Sequence, residues 1–187
     1  TQSLTLNAGT GGAIAASSTI GAGTSLATLT VTNSNGATFT GAVTADTSVV
    51  LTDTTDAANI TFTGALVTPT LTTAAQGYDL DLLGNGTIIT NAVTFANTGT
   101  LQLGDAAADV LLFNGGLTAL DPSGVTLNGE IRTSGDTVSL GDAGTPVTLA
   151  GTTSIIDTTN NGVTLAGAGI TLGGAVAGTV ANTQSLT

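Results

Sequence analysis

The sequence predicts an all-β chain wound into a parallel β-solenoid. Three observations predict it: a strand-forming composition with almost no charge, short apolar-x-apolar motifs closed by glycine or Asn-Gly, and a self-similar unit that recurs along the chain. The 187 residues are 41% hydrophobic and 7% charged. Disordered chains combine low hydrophobicity with many charges, so disorder is the wrong class. Val, Leu, Ile and 41 threonines carry the hydropathy, and β-branched residues suit pleated strands better than helices.

Three segments align on sight: GAVTADTSVVLTDTTDAANITFTG from Gly41, NAVTFANTGTLQLGDAAADVLLFNG from Asn91, and GEIRTSGDTVSLGDAGTPVTLAG from Gly129. A fourth, GTVANTQSLT, begins at Gly178, and TQSLT is also how the chain opens at Thr1. Joining end to beginning gives a fourth copy and a 182-residue period, so that 1–187 reads as one continuous solenoid segment of a longer tandem array, continuing in register. Within each unit a second motif returns, as NGATFTG at Asn35, SGVTLNG at Ser123 and NGVTLAG at Asn161. Each unit therefore reads as two turns. The expectation is about 8 coils of about 19–25 residues in four two-coil repeats, a size suited to three short strands per turn. At ~4.8 Å per coil the rod would advance about 38 Å.

Within the units, Leu4/Leu6, Val49/Leu51, Leu101/Leu103 and Val138/Leu140 take matching places. Apolar residues two apart, with mostly polar ones between, describe a strand with one buried face. Ile60/Phe62, Leu111/Phe113 and Val147/Leu149 follow as a second strand, and Val125/Leu127 and Val163/Leu165 as a third. Glycine and Asn-Gly steps close most strands and supply corners. Variable stretches such as 69–77 fall between strands. An immunoglobulin-like array fits less well, because such domains need about 100 residues and long hairpin-linked strands.

Strings such as LTLNAGTGGA, SLATLTVTNSNGATFTGAVTADTSVVLT and NITFTGAL resemble the repeats of giant filamentous-haemagglutinin-like surface proteins of bacteria. They are also similar to the passenger domains of autotransporter adhesins. The resemblance covers nearly the whole chain, most closely Leu26 to Thr68. It implies a right-handed parallel β-helix, export through the outer membrane, and a cell-surface or extracellular location.

Composition trims the chemistry. There is no Cys or His, Arg132 is the sole cation, and 12 acids give a net charge of -11. Thiol and imidazole catalysis, disulfides and zinc sites are therefore excluded. One cation cannot neutralise a phosphate backbone, so nucleic acid is not an expected partner. No run reaches the ~18 apolar residues of a membrane span. The opening residues lack the parts of a signal peptide, and the chain reads as an interior piece of something larger.

Five aspartates are the metal candidates: Asp53, Asp105 and Asp142 at one apparent repeat position, with Asp56 and Asp109 near them. Calcium takes oxygen ligands, but six to eight of them, so solvated carboxylates are the simpler reading and no cofactor is expected. Asp79 and Asp81, two apart on a strand, form the one carboxylate pair that could serve a carbohydrate-active enzyme. A polysaccharide-cleaving site would also want cations, and Arg132 falls in a different unit. Thr28/Thr30, Thr38/Thr40 and Thr61/Thr63 suggest flat hydroxyl rows of the ice-binding kind. The other units place Leu112/Asn114 and Thr148/Ala150 where Thr61/Thr63 stand, which breaks the row. Phe39, Phe62, Phe95 and Phe113 are expected inside the solenoid, and with Tyr78 they could alternatively form a sugar-stacking platform. Asn59-Ile60-Thr61 and Asn85-Gly86-Thr87 are formal glycosylation sequons; Gly167-Ala168-Gly169 lacks phosphate-loop spacing.

The expected function follows from shape: a non-enzymatic, extracellular structural rod that continues end to end into a filament or stalk, its partner being itself. Neighbouring filaments and cell-surface polysaccharide are further candidate partners. The alternatives are an adhesin stalk that binds host cells or surface polysaccharide, and a carbohydrate-active β-helix enzyme.

Overall fold

The computed structural model describes residues 2–52 and 55–187. Among them are twenty strands and no helix. Every strand pairing is parallel. Apart from the strands that end each stack, every strand pairs with segments one circuit earlier and one circuit later in the sequence, so the chain circles an axis and each turn lies on the one before. The fold is the β-solenoid the repeats predict, in about seven turns.

Three faces line the core. Face A begins at Ser3–Asn7 and runs through 28–33, 48–51 and Thr70–Thr73. Across the next turn the backbone N–H of Asn91 donates to the Pro69 carbonyl. Face A then continues as Val93–Thr94, Leu117–Ala119, Val138–Leu140 and Ile170–Leu172. Face B stacks Ile14–Ala16, Ala37–Phe39, Asn59–Phe62, Asp79–Leu82, Thr100–Leu103, 124–127, 147–149 and Val176–Gly178. Face C starts at the Ile20–Val43 bridge and passes through Leu66–Thr68, Thr87–Ile89, Val110–Phe113, 129–132 and 153–157 to Ser185–Leu186. Eight rungs on faces A and B enclose seven full turns, about 34 Å of rise at ~4.8 Å each. The sequence units lead to eight coils. The difference is that between counting rungs and counting the turns they bound.

The period of two decides which residues make the core. On face A the inward column is Leu4, Leu29, Val49 and Leu71, then Val93, Leu117, Val138 and Ile170. On face B, Phe39 stacks on Phe62 at 4.7 Å between ring centroids, 12° from coplanar. Phe95 meets Phe113 edge-on at 6.0 Å. All four rings and Tyr78 are fully buried, so the interior placement is correct and the rings form no surface platform. The Tyr78 hydroxyl donates to the Leu51 carbonyl and accepts from the Ala74 N–H. A buried phenol needs such a partner.

Corners are made by small residues and bulges. Gly41, Gly64 and Gly84 stand over one another where face B turns into face C. A Cβ on Gly84 would collide with the Gly64 carbonyl group, and one on Gly64 would collide with that of Gly41. Elsewhere the strand bends without ending. Gly124–Arg132 and Val147–Asp157 each carry face B and face C, and their mutual register shifts between Leu127 and Gly129. Such a bulge re-aims the chain at a corner.

The sequence units do not respect the faces. Leu4/Leu6, Val49/Leu51 and Val138/Leu140 lie on face A, whereas Leu101/Leu103 lies on face B. Ile60/Phe62 and Val147/Leu149 are on face B, but Leu111/Phe113 is on face C. The unit from Asn91 is thus offset by one face. This explains why the units start at uneven intervals along the chain. The motif NGVTLAG also departs from expectation. Val125 and Leu127 are buried, whereas Val163 and Leu165 are 80% and 87% exposed. The strand Val147–Asp157 already fills faces B and C of that coil, so 159–167 has no face left to occupy. It leaves the coil as a loop, bracketed by Thr158, whose hydroxyl donates to the Ala168 carbonyl and accepts from its N–H.

The two TQSLT strings also separate. Leu4 lies on face A, whereas Leu186 pairs with Ser154 on face C. Between them the chain makes seven turns and two further faces. The two strings are therefore not structural equivalents within this chain. Stacking Leu186 over Ile170 instead would need a coil shorter than any between paired strands of this structure.

Candidate functional site

Of the four candidate metal ligands among the described residues, Asp105 and Asp109 lie together, while Asp56 and Asp142 stand apart from them. Asp53 lies outside the described residues. Asp105 follows the face B strand Thr100–Leu103, whereas Asp142 follows the face A strand Val138–Leu140. Their apparent equivalence is corrected to two different corners. The sequence motif around them is the same because every strand on every face reads apolar-x-apolar and then turns. Asp56 is exposed at a corner of the third coil, and Asp142 accepts from the Gly144 N–H at 2.7 Å. Asp109 is 7% exposed and accepts from the N–H groups of Asp105 and Ala106 at 2.9 and 2.8 Å. Its carboxylate closes the corner loop. Asp105 is pushed above the ordinary carboxyl range by desolvation, with a contribution from neighbouring Asp109. No group of three or more His, Cys, Asp or Glu side chains that could hold a metal ion occurs among the described residues.

Asp79 and Asp81 do share the outer side of face B, but each works as a clamp between coils. Asp79 Oδ1 accepts from the Thr100 N–H at 2.6 Å and from its hydroxyl at 2.8 Å. Asp81 Oδ2 accepts from Asn59 Nδ2 at 2.9 Å and from the Thr61 hydroxyl at 3.0 Å. One carboxylate reaches up a coil and the other down. Charge-assisted bonds of this kind are the strong ones, and they tie each carboxylate to a neighbouring strand. Asn59 of the first sequon is thereby engaged, while Asn85 of the second accepts from the Val110 N–H.

Arg132 is on face C, away from that pair. Its Nε and Nη2 donate to the two Glu130 oxygens at 2.7 and 2.8 Å, which raises its pKa. Asp157, the in-register neighbour of Arg132, is held below the ordinary carboxyl range. Its largest cause is the hydrogen bond from the Thr159 hydroxyl, followed by the N–H groups of Asn161 and Thr159. Glu130, Asp157, Ile156, Ile170 and Thr187 border a groove of about 530 Å³ at the last coil. Asp157 is absent from the candidates drawn from sequence. The Asp-x-Thr-x-Asn spacing, in which a carboxylate can bond backbone N–H groups two and four residues on, is the signal that marks it.

The threonine rows are the larger surprise. On face B the outward column reads Ala15, Thr38, Thr61, Asp81, Gln102, Thr126, Thr148 and Ala177, and it is mixed as expected. Leu112, however, points out from face C, so it never belonged to the row of Thr61. On face A the outward columns are nearly unbroken. Ser3, Thr28, Ser48 and Thr70 form one; Thr5, Thr30, Val50 and Thr72 form the other. The second resumes as Thr94, Thr118, Ser139 and Thr171.

The last coil presents its apolar side chains. Ile170, Val176 and Val180 are 46%, 42% and 58% exposed, and among the described residues no strand covers the far edge of Ile170–Leu172 or Val176–Gly178. At the other end Leu4, Leu6, Ile14 and Ile20 are only half-buried against the core. No helix of the described residues is long and apolar enough to cross a membrane. No family model matches the chain, and neither a curated protein nor a solved structure matches it.

Proposed function

We propose that the chain is a segment of an extracellular structural rod whose solenoid continues end to end into a filament or stalk. The observation that carries this reading is the pair of open terminal coils. An uncovered coil leaves a row of unpaired N–H and C=O groups beside an apolar interior. The half-buried Leu4 and Ile14 at one end, and the exposed Ile170 and Val176 at the other, are suited to being covered by a further coil. The likeness to filamentous-haemagglutinin-like repeats supports a bacterial surface location.

The scattered acids favour a scaffold over an enzyme, since Asp79 and Asp81 are committed to bonds between coils. Negative-stain imaging of the native material, with and without chelator, tests the proposal. The expected result is long filaments of uniform width that survive chelation. Discrete globular particles would refute the rod, and collapse in chelator would restore calcium to the corners.

A further inference from the structure

Face A differs from the rest of the surface in charge. Among the described residues, the one acid inside a strand that carries face A is Asp46, exposed at the bulge by which Val43–Leu51 turns from face C into face A; no Asp, Glu or Arg lies on the regular segments of that face. Asp79 and Asp81 are on face B; Glu130, Arg132 and Asp157 are on face C. Asp46 and Asp136 sit at the corner where face C becomes face A, and Asp56, Asp121 and Asp142 at the corner where face A becomes face B. A chain of net charge -11 therefore keeps one side neutral, rimmed by acids.

That side is also regular. From Ser48 to Leu51 it pairs residue for residue with Thr70 to Thr73, and from Thr28 to Val31 with Ser48 to Leu51, without a register shift in either stretch. Outward hydroxyls repeat about every 4.8 Å up the rod and about 6.7 Å along each strand. The Thr28 and Ser48 hydroxyls are 3.2 Å apart and bond across coils. No aromatic ring interrupts the face, since all five are turned into the core.

We infer that face A is the lateral contact between two rods of this chain, resting on the rod reading above. A periodic surface is best matched by one of the same period, and a second copy has that period by construction. Two highly acidic rods repel each other except where neither carries charge, and face A is the one such side. The contact buries γ-methyl groups and pairs hydroxyls, which together stabilise modestly per rung. A face about 34 Å by 13 Å offers roughly 450 Å² per copy, or about 900 Å² in all, below the ~1,200 Å² of a stable specific interface. One copy therefore pairs weakly, while a rod of many copies adds contacts without new entropy of association.

The test is sedimentation velocity on the chain over a concentration series, at low and high salt, with circular dichroism to confirm the fold. Weak self-association that strengthens with salt is expected, because salt screens the rim acids. Thr30→Glu with Thr72→Glu should weaken it roughly tenfold or more, since like charges would meet across the contact. Thr126→Glu with Thr148→Glu adds the same charge to face B and should leave it nearly unchanged. Equal loss from both pairs, or a monomer at every concentration, overturns the inference. So would a face A variant that abolished binding to ice or to an insoluble neutral polysaccharide while the parent chain stayed monomeric. Imaging separates the two readings. Filaments that persist at single width in the face A variant keep the rod and confirm the lateral contact, whereas paired particles that never elongate keep the contact and refute the rod.

Discussion

Replacing Phe62 by alanine tests whether the stacked interior is what holds the coils together. Phe62 has no exposed surface, lies 4.7 Å from Phe39, and faces Leu82 in the next coil. Its neighbours come from strands whose backbones are locked above and below, so the cavity cannot collapse. Removing a buried phenylalanine side chain costs about 3–5 kcal/mol, and here the loss includes the ~0.5–1.5 kcal/mol of ring stacking. In a chain of this length each kcal/mol shifts Tm by about 2–4 °C, so Phe62→Ala should melt about 10 °C below the parent. Thr61→Ala, one residue away and pointing outward, removes only the hydrogen bond to Asp81, worth about 0.5–1.5 kcal/mol. Far-UV circular dichroism during thermal and urea unfolding measures both. Hydrogen exchange adds location, because in a solenoid the damage spreads through nearest neighbours. Protection should fall first in Ala37–Phe39, Asn59–Phe62 and Asp79–Leu82. Equal destabilisation by the two substitutions would refute the alternating inside-outside reading of this strand.

Further expectations follow from the corners and the last coil. Gly84→Ala should cost about 1–3 kcal/mol by overpacking against the Gly64 backbone. Gly86→Ala, with φ of 83° and nothing within 4 Å of its Cβ, should cost about 1 kcal/mol through backbone strain alone; urea midpoints of the two variants distinguish crowding from conformation. Asp157 is held below its ordinary pKa by Thr159 and Asn161, so its stabilisation is present above the unfolded-chain value of ~3.9 and fades as pH falls through the lower folded value. Asp157→Asn should lose about 1–2 kcal/mol at neutral pH, with the gap to the parent closing below about pH 4 in a pH series of urea titrations. Asp105 has the opposite sign. Its raised folded pKa means stabilisation present below the unfolded value and lost as pH rises, so Asp105→Asn should be neutral or stabilising at pH 7 in the same titration.

How much of this is legible in the sequence depends on what the strand grammar encodes. Apolar-x-apolar closed by glycine marks a buried-face strand wherever it occurs, and that is why Ile60/Phe62 and Leu111/Phe113 read as strands of the core. The same grammar serves all three faces, which is why those two pairs look equivalent although they lie on faces B and C. Asp105 and Asp142 look alike for the same reason and sit at different corners. The NGVTLAG loop at Asn161 carries the pattern of a strand but finds faces B and C already filled by Val147–Asp157. Pattern cannot report a competition for space.

The sequence by itself determined that the chain is all-β, that its strands are short and one-sided, and that successive turns stack like on like. Those properties follow from local sterics and from a hydrophobic period of two, which need no knowledge of distant residues. Only the tertiary structure decided which face each strand occupies. Coil length varies from turn to turn, and each corner adds or removes a few residues, so angular position is a running sum that no single motif contains. That sum gathers hydroxyls without charge on face A, sets Asp79 and Asp81 to clamp opposite neighbours, and carries the second TQSLT string to face C.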